Sequence, residues 1–189
     1  MDINARIAAR VSFLRKERDL SLDALAYKSD VSRSMISLIE RGQSSATAVV
    51  LEKLAAGLGV TLASLFEESA ASGGPLVRRS EQLEWRDPQS GYVRRNVSPP
   101  NAQSPMQIVD VSFPAGAAVA YETTERDRSV HQQIWILEGK IDITVGADTY
   151  SLEPGDCLAF RLDRPTAFHN PHRKPARYMV AITTDTLRS

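Results

Sequence analysis

Cysteine is nearly missing from these 189 residues: only Cys157 is present, so no disulfide can form within the chain. That scarcity fits a reducing compartment, and the expectation is a cytoplasmic protein. No apolar run approaches the roughly 20 residues of a membrane span, so no membrane partner is expected. The opening stretch, MDINARIAARVSFLRKERD, carries acids and no unbroken apolar core, and does not read as a secretory signal. Net charge is also missing. Lys and Arg total 23 and so do Asp and Glu, which leaves no global pull toward nucleic acid. Any DNA-binding surface must therefore be local. There is no Gly-rich phosphate loop and no nucleophile signature, so no catalytic residue is assigned.

What is present divides into two textures. Ile7, Val11 and Leu14 recur at spacings of three and four, with Arg6, Arg10, Arg15, Lys16 and Arg18 on other faces, as in an amphipathic helix. Ser21, Ser32 and Thr47 read as N-caps of three further helices, and Gly42 and Gly59 as stops. A fifth helix is expected at about Leu62 to Phe66. None is long enough to be stable alone, so they must share one small core. Residues 67–75, EESAASGGP, have the composition of a linker. The expected division is thus 1–66, linker 67–75, and 76–189.

Beyond the linker the period shortens. Met106 to Phe113, Gln133 to Leu137, Lys140 to Val145, Cys157 to Phe160 and Tyr178 to Thr183 read as short strands separated by turn signals such as Glu153-Pro154-Gly155-Asp156. Many short strands at regular spacing predict an antiparallel barrel or jelly roll. The fold class is α + β in two domains. Cys157 is expected to be a small buried apolar residue.

The segment SLDALAYKSDVSRSMISLIERG, Ser21 to Gly42, resembles the Xre/Cro/phage-repressor helix-turn-helix family through its Ser-Leu-x-x-Leu-Ala, Val-Ser-x-Ser and Ile-Glu-Arg-Gly elements. LEKLAAGLGVTLASLF resembles the closing helices of that five-helix, lambda-repressor-like domain, and the likeness covers residues 3–66. One departure is Ala46, where the family often has proline. The resemblance implies a helix lying in the major groove of double-stranded DNA, with an operator as the target. If Ile36 and Ile39 face the core, Arg33, Ser34, Ser37 and Leu38 face outward. Arg33 is the candidate for a bidentate contact to guanine, and Lys28, Ser32 and Arg41 are candidates for phosphate contacts. In resembling domains an arginine and a glutamate matching Arg15 and Glu40 form an ion pair. A small helical bundle with no DNA role, or one that binds protein, would carry the same polar face.

The second half resembles the cupin superfamily in WRDPQSGYVRR (Trp85 to Arg95), FPAGA (Phe113 to Ala117), IWILEGKIDI (Ile134 to Ile143), YSLEPGD (Tyr150 to Asp156) and RPTAFHNP (Arg164 to Pro171). Metal-binding cupins carry a histidine pair, a glutamate and a further histidine. By motif counting Gln132 stands at the glutamate position and Thr166 at the last histidine. The pair should fall among Glu125, Arg126, Asp127 and Arg128, where there is no histidine. The resemblance therefore implies no catalytic metal and no cofactor. Alternation along the strands would turn His131 and His169 outward, although a metal site built from those two stays open.

A barrel without its metal ligands can still hold a cavity. Tyr121, Arg126, Arg128, Gln132, Thr166 and Phe168 are the candidate ligand-binding residues, and the arginines favour an anionic effector. A closed barrel serving only dimerisation is the plainer reading. The expected function is a transcription regulator that senses a small molecule, binds DNA and acts as a homodimer, because a single domain of this kind reads only a half-site. The alternative is a metal-dependent cupin enzyme of oxygenase or epoxidase type that carries a helix-turn-helix domain.

Overall fold

Short oxygen-bearing side chains decide where the helices begin. In the computed structural model, which describes residues 3–66, 74–100, 104–122 and 130–184, four α-helices come first. They are α1 (Ile3–Glu17), α2 (Leu22–Ser29), α3 (Arg33–Glu40) and α4 (Ala48–Leu58). The side-chain oxygens of Ser21, Ser32 and Thr47 accept the backbone N–H groups of Ala24, Met35 and Val50, satisfying donors that the first helical turn leaves open. Gly59 ends α4 in the left-handed conformation, at φ 71°. Two of the helices have only eight residues and depend on a shared core of Val11, Leu14, Leu25, Ile36, Ile39, Leu51, Leu54 and Leu58, all buried.

The expected fifth α-helix is not formed. Leu62–Phe66 is a 3-10 segment of five residues, started by the Thr61 hydroxyl, which accepts the Ser64 N–H at 3.2 Å. Five residues cannot sustain an i→i+4 ladder, and the tighter turn still buries Ala63, Leu65 and Phe66.

Ten strands follow: β1 (Glu84–Arg86), β2 (Val93–Asn96), β3 (Met106–Phe113), β4 (Ala118–Tyr121), β5 (Val130–Glu138), β6 (Ile141–Val145), β7 (Asp148–Leu152), β8 (Cys157–Arg161), β9 (Thr166–His169) and β10 (Ala176–Thr184). They do not close into one barrel. They form a six-stranded sheet ordered β1-β2-β3-β10-β5-β8 and a four-stranded sheet ordered β4-β9-β6-β7, with antiparallel pairing throughout. The sheets meet through aromatic side chains. Phe168 of the smaller sheet lies 6.1 Å from Tyr178 and 6.5 Å from Phe113 of the larger, measured between ring centroids. At the β5–β6 turn Gly139 sits at φ +71°, where any Cβ would come within 2.3 Å of the Pro175 carbonyl oxygen.

Cys157 is exposed, contrary to the sequence expectation. Leu158 and Phe160 take the more buried side of β8, so the two-residue period turns Cys157 outward, opposite the exposed Trp135 of β5.

The two halves touch directly. Phe66 packs on Trp85 with centroids 5.6 Å apart. The buried Asp87, in the turn between β1 and β2, accepts the N–H of Ala48 at the start of α4 at 2.9 Å. Its other carboxylate oxygen accepts both the N–H and the hydroxyl of Ser90, which fixes the turn that reaches across. No helix among the described residues is long and apolar enough to cross a membrane.

Candidate DNA-binding helix and effector cavity

Helix α3 buries Ile36 and Ile39 and leaves Arg33 and Ser34 exposed, with Ser37 and Leu38 half-buried beside them. Lys28 and Arg41 are exposed at the ends of α2 and α3. Ser32 spends its hydroxyl on capping α3, which leaves the helix N-terminus as the part suited to a phosphate. Arg33 reaches Asp23 at 3.2 Å, with 64% and 76% of the two side chains exposed. A pair so exposed is worth under about 1 kcal/mol, so it does not withhold the guanidinium from another partner. Arg41 donates to Ser37 and, at 2.9 Å, to Gln43. Tyr27, one helical turn after Asp23 on α2, is 93% exposed. It stands outside the apolar stripe of Leu22, Leu25 and Ala26, and sequence reading did not single it out.

Arg15 and Glu40 set the angle of this helix. The guanidinium donates from Nε at 2.6 Å and from Nη2 at 2.8 Å to the two carboxylate oxygens, and from Nη1 to the Leu20 carbonyl at 2.8 Å. Both side chains are largely buried, and the bond to Glu40 raises the Arg15 pKa above its ordinary value. Such a bidentate fork fixes orientation as well as distance. α1 and α3 are thereby held at one crossing.

A cavity of about 100 Å³ opens between the sheets. Four of the sequence candidates line it: Tyr121, Gln132, Thr166 and Phe168. The other two, Arg126 and Arg128, lie outside the described residues. Its remaining walls are Tyr92, Arg94, Val111, Phe113, Leu162, Tyr178 and Val180, with Glu122 and, from the helical half, Glu52 and Leu62. The hydroxyls of Tyr92 and Tyr121 are 3.0 Å apart. Burial holds the Tyr121 and Tyr178 phenols well above their ordinary pKa, so both stay protonated.

The residue missed by sequence reading is Arg94. It is 8% exposed, and its Nε and Nη2 are buried without a hydrogen-bond partner. Its Cζ lies 5.3 Å from the centre of the Phe66 ring. Burial lowers its pKa, against the pull of Tyr92, Tyr121 and Tyr178. A signal was present. Two consecutive arginines in a strand must face opposite sides, so one of Arg94 and Arg95 had to point inward. Arg95 takes the outer face, pairing with Asp110.

The cavity does not fit a divalent metal. Gln132 and Thr166 offer an amide and a hydroxyl, poor donors toward iron, nickel or zinc. The Arg94 guanidinium shares the space and would repel a cation, while the two carboxylates of the lining, Glu52 and Glu122, are half-buried and exposed. His131 and His169 are not among the lining residues, and no cluster of three or more His, Cys, Asp or Glu suited to a metal occurs among the described residues.

Comparison with known proteins fits this geometry. Residues 13–65 match the helix-turn-helix family and residues 110–182 match the cupin domain family. The HTH-type transcriptional regulator SutR of Escherichia coli K12 is 29% identical over 157 residues, 83% of each chain. Control protein C.MunI of a Mycoplasma species is 43% identical over 68 residues, 35% of this chain and 92% of that protein. A crystal structure of an HTH_3 family transcriptional regulator from Vibrio cholerae superposes with a TM-score of 0.78 at 25% identity, covering 97% of this chain and 98% of the other. The chain joins a helix-turn-helix segment to a cupin domain and belongs with the HTH-type transcriptional regulators.

Proposed function

We propose that this protein is a sequence-specific DNA-binding regulator whose residues 76–189 sense a small organic molecule, with residues 1–66 as the DNA-binding unit. The observation that carries the reading is α3 itself. It is capped by Ser32, locked to α1 through Arg15 and Glu40, and offers Arg33 and Ser34 to solvent with the half-buried Ser37 beside them. In this reading Arg33 contacts a base, Ser34, Ser37 and Leu38 complete the groove surface, and Lys28, Ser32 and Arg41 hold phosphates. Two copies act together, because one such unit reads a half-site.

The cupin half works as a sensor and not as an enzyme. Gln132 and Thr166 suit hydrogen bonding to an organic ligand better than metal chemistry. Signal transfer has a path inside one chain, since Glu52 and Leu62 of the helical half line the cavity and Asp87 caps α4. A ligand acts on DNA affinity through this seam only by preferring one arrangement of it. The test is selection from a pool of random duplexes by the full chain. Enrichment of one motif with two related half-sites is expected, and recovery of unenriched DNA would refute the reading.

A further inference from the structure

We infer that Arg94 is the anchor of the cavity and that its ligand is a small monocarboxylate with an apolar body. This rests on the sensor reading above and names the chemistry of the effector. Nε–H and the adjacent Nη2–H point along the same edge of a guanidinium, the edge that meets the two oxygens of a carboxylate. Those two nitrogens are the ones left buried and unpartnered. A buried guanidinium with two N–H groups unpartnered is costly, and a ligand that accepts from both supplies the missing hydrogen bonds.

The charge count and the walls narrow the class. One guanidinium balances one negative charge, which suits a carboxylate better than a phosphate dianion. Glu122 is exposed and Glu52 only half-buried, so water screens both more than it screens Arg94. Val111, Phe113, Phe168 and Val180 give the ligand body an apolar and aromatic wall. The same guanidinium lies over the Phe66 ring of the helical half, so drawing it onto a carboxylate changes a contact at the seam between the halves.

The experiment titrates the full chain, by calorimetry and thermal shift, with acetate, butyrate and benzoate. Each acid is compared with its own amide, and inorganic phosphate is a separate arm. At least one acid should bind about tenfold or more tighter than its amide, the difference expected for a hydrogen-bonded charge. Phosphate should bind more weakly than that acid. Arg94→Met should abolish the preference of acid over amide while keeping or raising the ligand-free Tm, because it removes a buried charged group whose hydrogen bonds are unmet. A purely structural arginine would instead lower the Tm. Equal binding of acid and amide, preference for phosphate, or no binding by any acid overturns the proposal, and the wild-type comparison stands even if the variant does not fold. DNA binding by the ligand-free chain is measured on the same preparation. If it persists while the acids fail, only this inference falls; if it is absent, the regulator reading falls as well.

Discussion

The carboxylate of Asp87 and the backbone N–H of Ala48 are 2.9 Å apart, a hydrogen bond in which a turn of the sheet half caps a helix of the helical half. Thr47 already serves Val50, so Asp87 satisfies a second open donor of α4 and places a negative charge at the helix N-terminus. Asp87→Ala leaves that N–H and the Ser90 turn without their acceptor. The expected loss is about 1–3 kcal/mol in urea unfolding. Unchanged stability would mean that the seam carries no load.

Breaking the bidentate pair from one side should destabilise more. Arg15→Ala strands the Glu40 carboxylate, whose side chain is only 11% exposed. The expected cost is about 3 kcal/mol, the lower end for a buried pair because some exposure remains. A double-mutant cycle with Glu40→Ala measures it, and a coupling near zero would contradict a pair that sets the α1–α3 angle.

Gly57→Ala should destabilise although it lies in a helix interior, where the change ordinarily gains up to about 1 kcal/mol. The added Cβ would stand 2.7 Å from Cβ of Ser29, forcing α2 and α4 apart. A loss of about 1–3 kcal/mol on thermal unfolding is expected, with weaker DNA binding because α3 follows α2. A gain in Tm would show that the helices part easily.

Acid should weaken the outer face of the larger sheet. Burial acts to raise the Asp110 carboxyl, but hydrogen bonds from Arg177 and Arg95 outweigh it and hold the pKa below the ordinary carboxylate value. A depressed folded pKa gives stability that is present above the unfolded value, about 3.9, and is lost as pH falls through the folded value. Asp110→Asn should therefore lower stability at neutral pH and flatten its decline below about pH 4. An identical acid limb in both proteins would remove Asp110 from the account.

Sequence reading located the helix starts well, because Ser21, Ser32 and Thr47 cap through local chemistry that a three-residue spacing reveals. Five strands were legible as apolar runs. Others were not: β7 is exposed along nearly its whole length, and β1, although it buries Trp85, has only three residues and so shows no period. Cys157 went wrong because a mixed strand does not state which alternate residue faces in. The cavity was half legible. Gln132 and Thr166 followed from motif counting, and Tyr121 and Phe168 were named beside them; the Arg94-Arg95 pair required one inward arginine, but which one, and the walls from α4 and Leu62, needed the tertiary fold.

Competition binding with the selected duplex separates sequence-specific recognition by α3 from general attraction to DNA. The full chain should prefer that duplex to a scrambled one by about 10³ or more at physiological salt. Arg33→Ala should cost about 1–3 kcal/mol on the selected duplex and relax preference at one base pair, whereas Lys28→Ala and Arg41→Ala should weaken both duplexes and flatten the salt dependence. Equal affinity of the wild-type chain for the selected and scrambled duplexes would mean that the helical half does not read DNA sequence.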